Sequence, residues 1–172
     1  DINILDEKSN NYLVSIFLDH IGVGLSYADS STGEIYTTEY IGDKDNSCDF
    51  VLDELGKICP SEIICNRTFM ENKKIFKFVK NRINPYINVY EDNILDNVKL
   101  EDRIISHFNV DRLKELGLES KIYSILSLGK LIDYLYDTQK KALEHINELK
   151  IYEPKEYMVL DINTRTIYSF GS

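Results

Sequence analysis

YLVSIFLDHIGVGLSYADSSTGEIYTTEYI, residues 12–41, decides the fold. Tyr12 to Leu18 is rich in Val, Ile, Leu and Phe, the composition of a strand buried on both faces. Asp19 to Gly22 reads as a turn, and Val23 to Ala28 as a second strand. Asp29-Ser-Ser-Thr-Gly33 is dense in turn formers, and Glu34 to Ile41 alternates as a third strand. Three strands joined by short turns predict an antiparallel meander.

Downstream the pattern changes. Ser47 reads as the N-cap of a helix running through Ile58, with Phe50, Leu52 and Leu55 among its apolar positions, and Pro60 stops it. Glu62 to Cys65 is a short apolar strand. Lys73 to Arg82 is a second helix with Ile75, Phe76 and Val79 on one side, Asn84-Pro85 breaks it, and Tyr86 to Tyr90 is a further strand. Helix, strand, helix, strand at this spacing predicts crossover units with parallel strands. The expected fold class is α/β: an RNase H-like mixed sheet, made of a three-strand antiparallel meander plus βαβ units, followed by helices. Short helices are expected over 99–108 and 110–116, ended by Gly117. From Glu119 onward Ile122, Ile125, Leu126, Leu131, Ile132, Leu135, Leu143, Ile146 and Leu149 recur at helical spacing. Gly129 alone interrupts, at a cost of about 1 kcal/mol relative to Ala. Thirty helical residues would reach roughly 45 Å, so this helix is expected to leave the body toward a neighbouring domain. Residues 1–11, polar and aperiodic, read as an arriving linker, and Tyr157 to Ile162 as a short extended run.

The 172 residues, 43% apolar and 28% charged, suffice for one domain plus a short piece of a neighbour. Residues 1–66 hold 13 acidic and 3 basic side chains, and residues 67–172 hold 16 and 17. An acidic first half repels a phosphate backbone, so little or no direct DNA binding is expected of the chain alone. No apolar run approaches the ~20 residues of a bilayer span, which predicts no membrane role. Cys48, Cys59 and Cys65 form no CxxC pair and leave one thiol over under any disulfide scheme. Reduced thiols in a cytoplasm are the expected state, with Cys59 and Cys65 in the core.

Each candidate chemistry has a plain structural alternative. A Mg²⁺-dependent nuclease would gather carboxylates around metal ions on the central strands, and Asp19, Asp29 and Glu34 are the available set. Asp19 at a strand end, and Asp29 and Glu34 around Ser-Ser-Thr-Gly, equally suit ordinary turn capping. No phosphate loop is present, because Gly129-Lys130 lies inside a helix and Gly22 and Gly24 lie in a hairpin. His20, His107 and His145 are far apart and have no partner at metal spacing. Between Arg67 and Arg82 six basic residues face one acidic residue, with Lys73, Lys77 and Lys80 on one face and Lys74 beside them. They read as a solvated outer face or a small phosphate or acidic-partner patch. The expected catalytic, cofactor and metal residues are therefore none.

Asn10-Asn-Tyr-Leu13, Asp29-Ser-Ser-Thr-Gly-Glu34 and Glu54-Leu55 with Pro60-Ser-Glu-Ile-Ile64 are soft motifs singly. With Leu131-Ile-Asp-Tyr-Leu-Tyr-Asp-Thr-Gln139, Leu143-Glu-His-Ile146, Tyr157-Met-Val-Leu-Asp161 and Thr164-Arg165, their order and spacing resemble the connector domain (domain II) of bacterial MutS. The resemblance divides the chain into residues 1–11, a linker from an N-terminal mismatch-binding domain; 12–150, the connector with its outgoing helix; 151–165, the start of the lever region; and 166–172, appended residues that depart from the family. Phe69-Met-Glu71 has the letters of the family's mismatch wedge without its Gly-containing context. What the resemblance implies is a non-enzymatic scaffold from a bacterial, cytoplasmic DNA mismatch repair protein, with ATP and Mg²⁺ held in a C-terminal domain of the parent. It would relay ATP-driven rearrangement between neighbouring MutS domains, meet mismatched DNA through the full-length protein, and offer a surface to the partner MutL. The resemblance puts that contact near the helix before Phe108, at Asp102, Arg103 and His107. The competing expectations are the nuclease and a free-standing partner-binding module.

Overall fold

The computed structural model describes residues 12–91 and 96–154. Strands β1 (Tyr12–Leu18), β2 (Gly22–Asp29) and β3 (Glu34–Ile41) form the predicted antiparallel meander, with Ser15 opposite Ser26 and Ser26 opposite Thr37. Strand β4 (Glu62–Asn66) adds parallel to β1, and β5 (Tyr86–Tyr90) parallel to β4. A strand absent from the sequence reading, β6 (Glu148–Ile151), runs parallel to β3. The six-stranded mixed sheet has the order β5-β4-β1-β2-β3-β6.

Helices cover both faces. Helices α1 (Lys44–Ile58), α2 (Arg67–Glu71) and α3 (Lys73–Phe78, leading into a π-helical turn, Val79–Ile83) connect the strands up to β5. Helices α4 (Asp96–Phe108), α5 (Ile122–Thr138) and α6 (Lys140–Glu144) precede β6. Strand alternation divides the core between them. Val14, Ile16, Leu18, Ile63 and Cys65 pack with Phe50, Leu55, Phe69 and Ile75 on the α1–α3 side. Leu13, Ala28, Ile35 and Ile64 pack with Ile104, Leu128, Leu131, Leu135 and Leu143 on the other. This double burial explains the near-continuous apolar run of β1.

Two local expectations are corrected. Asp43, not Ser47, caps α1: its carboxylate accepts from the Asn46 N–H at 2.8 Å, while Ser47 is buried one turn inside and donates to the Gly42 carbonyl. Both residues suit an N-cap, but Ser47 lies on the helix face turned to the sheet. Cys59 is not a core residue; it ends α1 in the left-handed region, φ 48°, and is exposed. Cys48 and Cys65 are the buried thiols.

The largest correction concerns the outgoing helix. Helix α5 stops at Thr138, where Gln139 leaves helical geometry at φ −145°, ψ 58°. Its 17 residues span about 25 Å, close to the length of β1, β2 and β3, the seven- and eight-residue strands it packs against. Leu143 and Ile146 belong to the same core, and Leu149 and Ile151 alternate with Glu148 and Lys150 in β6. The helical spacing of these leucines and isoleucines survives a break because all of them face one sheet.

Burial separates the thiols chemically. Burial pushes the Cys65 thiol up to about 12 and raises Cys48 as well. With its folded value raised, Cys65 adds stability that is fully present below its ordinary range near 9 and is lost as pH rises toward about 12. Titration of the native protein with an aromatic disulfide at pH 8 is expected to modify Cys59 rapidly, with Cys48 and Cys65 reacting only on unfolding. Three equally fast thiols would contradict the buried placement.

Candidate functional site

The three residues assigned to partner contact lie on α4, but they differ in how much surface they offer. Asp102 is exposed and has no ion pair among the described residues. Arg103 is half-buried: its Nε donates to Asp133 Oδ1 at 2.8 Å, and its guanidinium lies 3.9 Å from the Tyr136 ring centroid. Asp133 and Tyr136 stand three residues apart on α5, a spacing that puts them on one helix face. The Asp133 carboxylate holds the Arg103 pKa above its ordinary value. Arg103 and Lys140, whose Nζ lies 4.6 Å from the same ring, lower that of Tyr136. His107 is hydrogen-bonded to the Ile146 carbonyl and meets Phe108 edge-on, rings 4.7 Å apart. Arg103, His107, Tyr136 and Lys140 line a groove of about 430 Å³ among α4, α5 and α6, together with Ser106, Glu144 and Asn147; Asp102 lies outside it.

Asp133, Tyr134 and Tyr136 fall within the Leu131–Gln139 stretch. Tyr134 reaches the other way and donates to Glu62 of β4. The stretch therefore ties α5 to α4 on one side and to the sheet on the other. The sequence reading found the stretch but not the Arg103 pairing, because the partner lies 30 residues away.

A second cluster joins the first strand to the chain leaving the sheet. Tyr12, Tyr27 and Tyr36 share the α1 face, with Tyr27 and Tyr36 stacked at 4.6 Å. Tyr152, just past β6, meets Tyr27 and Tyr36 edge-on at 6.2 Å each and donates to Glu54 of α1 at 2.8 Å. Glu54 is buried, at 3% exposure, and Lys57 lies 3.5 Å from its other oxygen. Burial, then the nearby Glu54 carboxylate, raise the Tyr152 phenol far above its usual range.

The nuclease carboxylates do not converge. Asp29 and Glu34 face each other at the end of the sheet where β1 begins, whereas Asp19 follows the end of β1. Six strand residues at ~3.3 Å each put roughly 20 Å between the two ends. Asp19 accepts from the Ile21 and Gly22 N–H groups and the Tyr123 hydroxyl. Asp29 accepts from Ser31, and Glu34 from Tyr36, with Lys150 3.2 Å away. All three are occupied by turns and cross-strand contacts. The histidines are equally dispersed: His20 lies in the β1–β2 turn, His107 on α4, and His145 at the exposed end of α6 rather than on α5.

The basic stretch is an exposed outer surface. Lys74 pairs with Asp49 at 3.0 Å and Arg67 with Glu91, while Lys80 and Arg82 lie over Phe76 and Phe78. Lys130 lies 4.6 Å from the Tyr90 ring, in mid-helix. Among the described residues no helix is long and apolar enough to cross a membrane.

The family description "MutS domain II" matches residues 11–147. The chain belongs to the MutS domain II family. It is 40% identical over 167 residues to the DNA mismatch repair protein MutS of Alkaliphilus metalliredigens, covering 96% of this chain and 19% of that protein. The MutS of Caldanaerobacter subterraneus subsp. tengcongensis is 40% identical over 159 residues, covering 92% and 18%, and that of Clostridioides difficile 40% over 168 residues, covering 96% and 16%. The chain thus spans less than a fifth of the length of these relatives. The matched range ends between α6 and β6, so the last strand lies beyond the part of MutS domain II recognised by pattern.

Proposed function

We propose that this chain is the connector of a DNA mismatch recognition protein, carrying ATP-driven rearrangement between flanking domains and presenting α4 to MutL. Membership of MutS domain II carries the reading. The tyrosine cluster supports the mechanical part: Tyr12 at the start of the first strand and Tyr152 after the last strand pack around one neighbour, Tyr27. Displacement of the segment leaving β6 would act on α1 through Glu54, not through a free hinge.

The finer fold reading, an RNase H-like sheet, is supported by the order β3-β2-β1-β4-β5, antiparallel in its first three strands and parallel in the rest, with β6 as an addition. The separation of Asp19 from Asp29 and Glu34 argues for a scaffold rather than a metal-dependent nuclease. On this reading residues 1–11 are a linker from the mismatch-binding domain, and residues 151–165 are the start of the lever region. Mismatched DNA, ATP and Mg²⁺ are handled by other domains of a cytoplasmic parent.

The test follows from how the α4 side chains are held. Reversing Arg103 would also break its 2.8 Å pair with Asp133 and set two like charges together, so Asp102→Lys is the cleaner probe, with His107→Ala beside it. In the full-length protein, Asp102→Lys is expected to reduce ATP-dependent MutL recruitment to mismatched DNA about tenfold, with mismatch binding and thermal stability unchanged. Undiminished recruitment by both variants would sink the docking assignment.

A further inference from the structure

We propose that β5 is a self-pairing edge: two copies of this chain join antiparallel along Tyr86–Tyr90, with a two-fold axis through Asn88. Strand β5 ends the sheet, with β4 on one side and no strand on the other among the described residues. Free sheet edges are normally blunted by charge, Pro or a bulge. The opposite edge, β6, follows that rule with Glu148 and Lys150 exposed. Tyr-Ile-Asn-Val-Tyr carries no charge, no Pro and no Gly, and it leaves Tyr86 81% and Val89 40% exposed.

The strand reads nearly the same from either end. That selects a second copy as the occupant, because antiparallel pairing about Asn88 sets Tyr86 against Tyr90 and Ile87 against Val89, one β-branched side chain on another. Backbone directions agree. The Tyr86 N–H donates to the Ser61 carbonyl at 2.9 Å, toward the β4 side. Alternation then turns the backbone groups of Ile87 and Val89 outward. In the two-fold register these two residues exchange N–H···O=C bonds with Val89 and Ile87 of the second copy, and Asn88 meets its own counterpart in a non-hydrogen-bonded pair. The strand is held ready for this: Ile87 packs on the α1–α3 core, and the Tyr90 hydroxyl donates to the Ile16 carbonyl at 3.1 Å. An edge of five residues a side forms a small interface, typical of weak complexes below about 1,200 Å².

Sedimentation equilibrium of the 172-residue chain in reducing buffer tests the proposal. The mass is expected to rise from 20.0 kDa toward twice that value as the concentration climbs into the range of hundreds of micromolar. Asn88→Lys sets like charges opposite each other and should move the midpoint tenfold or more to higher concentration, as should Val89→Lys. Register is read by cross-linking in a Cys59→Ser background. Non-hydrogen-bonded pairs have Cα atoms about 4.5 Å apart, within disulfide reach, so Asn88→Cys should oxidise to a covalent dimer much faster than Asn81→Cys, an exposed site off the strand. A chain that stays at 20.0 kDa throughout, with the two thiols equally slow, overturns the proposal. A dimer indifferent to both lysine substitutions also overturns it, since the copies then meet elsewhere. If the thiol introduced at position 88 cross-links to MutL and not to a second copy in a mixture of the two, the occupant is a different partner.

Discussion

Gly24→Ala is expected to destabilise the domain by about 3 kcal/mol, a fall of roughly 10 °C in Tm for a chain of this size. A Cβ at Gly24 would lie 2.0 Å from the Tyr123 carbonyl oxygen and 2.5 Å from its carbon, both backbone atoms at the start of α5. No side chain can rotate away to relieve this, so the helix must lift from β2. Lifting it disturbs the buried Ser26–Ser127 hydroxyl contact, 2.8 Å long, and the apolar residues of α5 that cover the sheet. Urea unfolding of the variant beside Gly56→Ala isolates the cause. Gly56 lies in the interior of α1, where a Cβ meets only the Phe78 ring edge at 3.8 Å. That change should gain up to about 1 kcal/mol from helix propensity alone. Equal effects of the two alanines would refute the close-approach argument.

Asn66→Leu is expected to lose about 3 kcal/mol for an unrelated reason. The β1–β4 ladder ends at Ile16 opposite Cys65, which leaves Leu18 beyond it. The Asn66 side chain continues the ladder: its oxygen accepts from the Leu18 N–H at 3.0 Å, and its nitrogen donates to the Leu18 carbonyl at 2.8 Å. Asn66 is fully buried and Leu18 nearly so, so an apolar replacement orphans a donor and an acceptor away from water. Asn66→Asp sharpens the test. A carboxylate keeps the acceptor but turns a second oxygen on the Leu18 carbonyl, and only the protonated acid can donate there. The folded state then favours the acid and raises its pKa above about 3.9. Stability recovered by protonation is therefore present below about pH 4 and lost as pH rises through the raised value. Chemical denaturation at pH 4 and pH 7 should show Asn66→Asp closer to the parent at the lower pH; a constant difference would mean that Asn66 acts through packing alone.

The same two residues show where sequence reading stops. Gly24 looked like an ordinary hairpin glycine, because the atom that excludes a methyl group there comes from a residue 99 positions later. Gly129 looked like a tolerated helix interruption, yet a Cβ there would meet the Leu100 Cβ at 2.6 Å, where α4 crosses α5. The α4 candidates were legible only through family likeness. Their chemistry depends on Asp133 and Tyr136, which a linear scan assigns to another helix. Of the tyrosine cluster, Tyr12, Tyr27 and Tyr36 fall within the three strands read from the sequence, but their common face follows from the strand register, and Glu54 carried no signal, because α1 reads as amphipathic with or without it.

By itself, the sequence determined the meander, the two crossover strands after it and the domain II membership. Each rests on local period, turn chemistry or ordered motifs, all written in short stretches of chain. Only the tertiary structure decided that the long apolar pattern after Glu119 is a helix, a break, a second helix and an edge strand. A run of apolar residues records that they face a core, and a single sheet can receive them from a helix and from a strand alike. The length of the strands beneath α5 and the edge of β3 that β6 pairs with match where α5 ends, and neither is a property of residues 119–151.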